Sequence, residues 1–234
     1  MQCVILAGGK GERMRPYTEK MPKPMFIIGE KPVLWHIMKY YSCAGVTHFT
    51  LCLGYKGDKI KEWFEANNHD NWTIDFVDTG EKSSKAERLI KVKDYIKTDD
   101  FYLAYGDDLS DVNIKELTEY HKQKEKIVTL TAVPLTTNFG VLELNKDDLV
   151  TEFKEKPRLD HYINGGFFCM NKKIFNYLKE GVELEQEVFE QLAVEHQIAA
   201  FKHMGFWNAM NTHKDTQELL KMWEDKNTPW VCWN

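Results

Sequence analysis

Residues 3–16 read CVILAGGKGERMRP. Cys3 to Leu6 make the short apolar run of a buried strand. The run passes through Ala7 into Gly8, Gly9 and Gly11, among Lys10, Arg13 and Arg15 with a single acid, Glu12. Glycines directly after a strand let the backbone approach another group closely. The surrounding charge makes that group an anion.

Working outward, apolar strand-like runs lie at 2–6, 48–53, 72–77, 101–105 and 127–133. Helical spacing falls between them, at 32–44, 57–66, 85–97 and 113–124. Leu34, Ile37, Met38 and Tyr41 carry that spacing in the first helix, and Ile114, Leu117 and Tyr120 in the fourth. This alternation predicts an α/β fold, a mostly parallel sheet with helices on both faces. Ligands collect at the carboxyl ends of such strands, where the glycine loop sits. After residue 134, FGVLEL, LVTEFKEKP and HYINGGFFCM predict a small antiparallel addition. Helices near 172–179 and 183–195, a strand at 198–203 and a helix near 213–225 follow. With no repeat, low-complexity stretch or linker, residues 1–234 are expected to form one domain.

The totals exclude several classes of function. A formal net charge of −5 disfavours nucleic acid and anionic membrane as partners, so an anionic ligand must be held by local charge. No run approaches the roughly 18–20 apolar residues of a membrane span. The chain opens on a strand without a leader pattern, and a cytoplasmic protein is expected. The five cysteines, Cys3, Cys43, Cys52, Cys169 and Cys232, are far apart and lack metal-type spacing. Reduced, buried thiols are expected rather than a disulfide framework.

The loop is neither of the two common phosphate loops. Read from Gly9, GxGxxG needs glycine where Met14 stands, and no GK[ST] closes a Walker A motif. Pro16, Pro22 and Pro24 prevent a long helix before residue 25. Phosphates would instead meet successive backbone N–H groups, supplemented by Lys10, Arg13 and Lys23. An isolated GGxG is as well explained by a plain turn with solvated cations.

Taken together, LAGGKGERMRP…PKPM, KPVLWHIMKYY, LGYKGDKIKEWF, VDTG, YGDD, EKP, YINGGFF and GFWNAMNTHKDTQELLKMW…PW resemble, in order, the blocks of the sugar-phosphate nucleotidylyltransferases. The cytidylyltransferase branch is most similar. The resemblance implies the Rossmann-like, mixed sheet of the nucleotide-diphospho-sugar transferases. It also implies transfer of a nucleotidyl group, CMP from CTP, to a phosphate monoester such as a sugar 1-phosphate, with Mg²⁺ and release of pyrophosphate. UTP, dTTP or GTP, a non-sugar phosphate acceptor, and a nucleotide sensor without turnover remain alternatives. A homo-oligomer is expected. The acceptor phosphate is already ionised at neutral pH, so the site must align two polyanions rather than supply a general base.

By match to the family, Leu6, Ala7, Gly8, Gly9, Gly11, Arg13 and Lys23 would hold the triphosphate, with Arg13, Lys23 and Asp107 as the catalytic set. Arg88 would face the base. Gly140, Glu155, Lys156, Asn164 and Gly165 would line the acceptor pocket, Lys156 binding its phosphate. Asp107 would hold Mg²⁺ with a late aspartate, but the chain has Asn211 there, and Asp108 where relatives have glycine. Either Asp108 restores the missing charge or it is a turn acid facing water. Two further departures are the short EANNHDNW segment and Lys85-Ala86-Glu87, where relatives have glycines. His36 is expected to be a core residue, and Trp207, Trp223, Trp230 and Trp233 to serve packing or subunit contact.

Overall fold

In the computed structural model, which describes residues 1–68, 70–137 and 139–233, Cys3–Leu6 is a strand, β1. Short strands β2 (Ile27–Ile28) and β3 (Lys31–Pro32) lead into α1 (Val33–Cys43). Then come β4 (His48–Leu53), α2 (Gly57–Asn67), β5 (Thr73–Asp78), α3 (Lys85–Val92) and β6 (Asp100–Tyr105). The chain continues through β7 (Asp108–Ser110), α4 (Ile114–Lys124) and β8 (Val128–Thr136) to a hairpin, β9 (Val141–Leu144) and β10 (Val150–Lys154). It closes with β11 (Arg158–Asn171), α5 (Glu190–Val194), β12 (Ile198–Lys202), β13 (Trp207–Ala209) and α6 (His213–Glu224).

A seven-stranded sheet has the order β12-β8-β11-β6-β1-β4-β5. β1 pairs parallel with both β4 and β6, whereas β11 runs antiparallel between β6 and β8. From β1 the chain moves to β4 and β5 on one side, then returns to β6 on the other. The loop after β1 therefore opens at a switch in strand order, where a crevice forms above the sheet.

Alternation along the strands builds both cores. Cys3 and Ile5 of β1 join one buried cluster with Leu34, Ile37 and Phe49. Val4 points the other way, into a second cluster with Leu89, Leu103 and Phe168. At roughly 25 cal/mol per Å² of buried apolar area, these two layers supply the main stabilisation. The helix expected at 85–97 stops at Val92 and tightens into a 3₁₀ turn, Lys93–Tyr95, and that expected at 172–179 is a 3₁₀ turn, Lys172–Asn176. No described helix is long and apolar enough to cross a membrane.

The thiol expectation needs correction. Cys3, Cys52 and Cys169 are free and buried, but Cys43 and Cys232 form a disulfide across 189 residues. The segment after α6 folds back over α1 and carries Cys232 to that helix's last residue. Trp230 is fully buried there, and Trp35, Trp223, Trp230 and Trp233 surround the His36 ring. Burial pushes His36 down to about 4; its Nε2 bonds Ile28 O at 3.0 Å, and its Nδ1 has no partner.

Candidate active site

The glycine loop is held from below by Arg88. Nη1 donates to Leu53 O at 3.0 Å and Thr79 Oγ1 at 2.6 Å. Nη2 donates to Gly8 O at 3.1 Å and Glu81 O at 3.4 Å. A Cβ on Gly8 would fall on this guanidinium and lie 2.9 Å from Gly54 N. Gly11 has φ +60°, which glycine adopts without penalty. Among the described residues, no backbone N–H from Gly8 to Arg13 donates to a protein acceptor. A run of free N–H groups in a glycine-shaped concavity is an anion site.

Beside the loop, Pro22 precedes a 3₁₀ turn, Lys23–Met25, that points Lys23 inward. The Lys23 ammonium donates to Asp107 Oδ2, and to Asn211 Oδ1 at 3.2 Å. Arg13 Nη2 donates to the same Asn211 oxygen at 2.9 Å. The β7–β13 ladder brings Asp107 and Asn211 together, since Asp108 opposes Ala209 and Met210 N donates to Asp107 O at 3.0 Å. Asp215 Oδ2, in the first turn of α6, accepts from Asn211 N and Thr212 N and fixes this segment. Two hard oxygens, one anionic and one neutral, thus converge on one cation. That set fits Mg²⁺, which takes few protein ligands and completes its shell with phosphate and water.

The far wall is Asp108, Tyr105, Asn164 and Lys85. Asp108 is 5% exposed, so it is no turn acid facing water. Burial first, then the neighbouring Asp107 charge, push its carboxyl well above the usual range, while Lys23 and Lys85 pull it back. The Lys85 ammonium lies 4.3 Å from the Tyr105 ring centroid and pairs with Glu185. Glu185 Oε1 also accepts from Tyr105 OH at 2.5 Å, and Asn164 Nδ2 donates to that hydroxyl at 3.3 Å.

Between the loop and this wall opens a cleft of about 580 Å³. It gathers Leu6, Ala7, Gly8, Gly9, Gly11, Arg13, Lys23, Arg88, Asp107, Asp108, Asn164 and Asn211. Gly165 lies just behind, its carbonyl accepting from Trp207 Nε1 at 2.8 Å. Gly140, Glu155 and Lys156 are not in the lining; they sit at the base of the β9–β10 hairpin, with the Lys156 side chain 60% exposed. Arg88 is spent on four backbone and hydroxyl oxygens under the loop and is 5% exposed, so supporting that loop is its evident work. Sequence reasoning missed Tyr105, Glu81, Glu183 and Trp207, all of which line the cleft. Trp207 is expected from sequence to serve packing or subunit contact, yet it lines the cleft. A tyrosine directly before GDD was the available signal for Tyr105.

Residues 2–226 match the nucleotidyl transferase family model. A Bacillus subtilis protein named "Probable glucose-1-phosphate cytidylyltransferase" is 40% identical, and the glucose-1-phosphate cytidylyltransferase of Salmonella typhimurium (strain LT2) is 39% identical, each with both chains covered in full. The fold is similar to that of HddC from Yersinia pseudotuberculosis, solved with GMP-PN, at TM-score 0.73 and 24% identity over 94% of this chain and 98% of that one. The chain belongs to the nucleotidyl transferase family.

Proposed function

We propose that the protein transfers CMP from CTP to a sugar 1-phosphate, releasing pyrophosphate. The observation that carries this reading is the meeting of Arg13, Lys23, Asp107 and Asn211 beside a loop of free N–H groups. Relatives 39–40% identical and named as cytidylyltransferases support the choice of CTP.

In this reading the N–H groups of Gly8 to Arg13 and the Arg13 side chain hold the β- and γ-phosphates. Lys23 moves its charge onto the α-phosphoryl oxygens as the acceptor oxygen attacks. Such preorganised donors, aimed at developing charge, are worth about 10²–10³ in rate each. Asp107 and Asn211 would hold Mg²⁺, which would supply neutralisation of phosphate charge. Asp108 keeps the wall beside the acceptor phosphate low in negative charge. Asn164 and Tyr105 face acceptor hydroxyls, and Glu155 and Lys156 reach the acceptor only if the hairpin folds toward the cleft.

Pyrophosphate release with CTP, UTP, dTTP and GTP against a panel of phosphate monoesters tests this. CTP with a sugar 1-phosphate is expected to give the highest kcat/KM. A higher value with another nucleotide or a non-sugar phosphate replaces the substrate assignment. Nucleotide binding without pyrophosphate from any pair replaces the enzyme by a sensor.

A further inference from the structure

We infer that Cys43 and Cys232 form a redox switch: their disulfide clasps the C-terminal tail to α1, and its reduction loosens the two segments that carry Lys23 and Asn211. Both cysteines are exposed, and they share the wall of an open pocket of about 240 Å³ with Tyr40, Asp111 and Lys115. A thiolate can therefore reach the sulfurs. Exposed disulfides are the labile ones, and where thiols are kept reduced such a pair is transient and senses redox state. Cys3, Cys52 and Cys169 are buried and take no part. A dithiol reductant supplies the two electrons. One of its thiolates displaces one cysteine sulfur, and its second thiolate breaks the mixed disulfide. The dithiol leaves as a disulfide, and Cys43 and Cys232 each take a proton and end as thiols.

What the clasp secures is otherwise weakly held. Among the described residues, no backbone hydrogen bond ties 228–233 to any other segment. Two indoles make the contacts. Trp230 lies 5.4 Å from the Phe206 ring, and Trp233 lies 5.4 Å from the Trp35 ring and 5.7 Å from His36, between centroids. Trp230 Nε1 is buried without a partner, which favours release to water. Burial of the indoles and the backbone entropy of the ordered tail are opposing terms of similar size. The disulfide removes the undocked state, so docking is secure only while that bond is intact. Both segments of the site end on this cluster. Phe206, against Trp230, leads into β13 and on to Asn211. Trp223 of α6 fills the space above Gly29 and packs on His36, whose Nε2 bonds Ile28 O at 3.0 Å in the strand that follows the Lys23 turn. At its other end α6 fixes Asn211 and Thr212 through Asp215. Undocking of the tail thus opens one side of the packing that keeps Lys23 and Asn211 together.

Hydrogen–deuterium exchange and calorimetric binding of CTP with Mg²⁺ test the switch. The proteins are wild type oxidised with diamide, wild type reduced with dithiothreitol, and the double variant Cys43→Ser, Cys232→Ser. Alkylation after denaturation is expected to label three thiols in the oxidised protein and all five in the reduced one. On reduction, amides of 226–233 are expected to exchange roughly tenfold faster or more, as a local opening that the clasp forbade. Amides of 23–28 and 211–216 should quicken several-fold, and CTP affinity should fall several-fold. The double variant should match reduced wild type and ignore dithiothreitol. Five thiols in the oxidised protein, or tail exchange indifferent to reduction, overturns the switch. So does a freed tail that leaves 23–28, 211–216 and CTP affinity unchanged, or a dithiothreitol response that survives in the double variant. Oxidised protein that binds no CTP overturns the nucleotide assignment instead, while exchange still decides the clasp.

Discussion

The Arg88 guanidinium occupies the space that a side chain on Gly8 would need. It also donates to the carbonyl of that same glycine. The phosphate loop is thus shaped from beneath by a buried cation, and its sequence tolerates no Cβ at this point. Gly8→Ala is expected to cost about 1–3 kcal/mol, the usual penalty of overpacking. In an Arg88→Ala background the overlap with the guanidinium disappears and only the 2.9 Å approach to Gly54 N remains, so the same change should cost less. Urea unfolding of the four proteins measures the coupling. Additive costs would mean that the two residues do not share this space.

Lys23 gathers Asp107 and Asn211 on one ammonium. Lys23→Ala is expected to lower kcat about 10²–10³-fold, as loss of one donor to developing charge does. Circular dichroism should be unchanged. More than a third of wild-type activity in this variant would remove Lys23 from the mechanism.

Metal dependence separates the two aspartates. The Asp107 and Asn211 oxygens share a cation, whereas the Asp108 carboxyl lies where a Cβ on Gly166 would be, against the Tyr105 ring. Asn211→Asp adds an anionic oxygen to the converging pair and should lower the Mg²⁺ concentration for half-maximal rate several-fold. Asp108→Asn should leave that concentration within about twofold, in either background, as uncoupled sites do. A strong shift in Asp108→Asn, rescued by Asn211→Asp, would place Asp108 on the ion instead.

His36 makes stability fall in mild acid. Burial lowers it to about 4, so the native ring stays neutral while the unfolded ring takes a proton near pH 6.5. The stability this neutral ring contributes is complete above pH 6.5 and is lost as pH falls from 6.5 towards 4, by about 3 kcal/mol in all. His121 shifts the same way, so the difference between wild type and His36→Gln isolates the effect. Urea midpoints from pH 7 to pH 4.5 should fall more steeply in wild type. Parallel curves would contradict a buried neutral His36.

What could be read from the chain depended on sequence distance. β1 and its loop were legible because an apolar run, three glycines and the cations are adjacent. The paired strand and helix periods likewise revealed the parallel sheet. Cys43 and Cys232 were not, since nothing local marks a partner 189 residues away. Nor was the meeting of Asn164, itself assigned by motif, with Tyr105 and Glu185, which β11, β6 and the π-helical turn Leu184–Phe189 bring together only once the sheet is ordered. Arg88 was placed at the cleft by its block. That its guanidinium is taken up by carbonyls depends on the approach of β4 and β5, which no spacing encodes. Gly140, Glu155 and Lys156 were assigned by motif, but the hairpin's position is a matter of tertiary packing.

The central claim is that the nucleotidyl group, and not the terminal phosphoryl, moves to the acceptor. Incubating the protein with Mg²⁺, a sugar 1-phosphate and CTP labelled at either the α- or the γ-phosphorus tests it directly. The account expects the α-label in a new sugar-linked nucleotide and the γ-label in pyrophosphate, in equal amounts. A γ-label on the sugar phosphate, or an α-label that remains in free CDP or CTP, would contradict it.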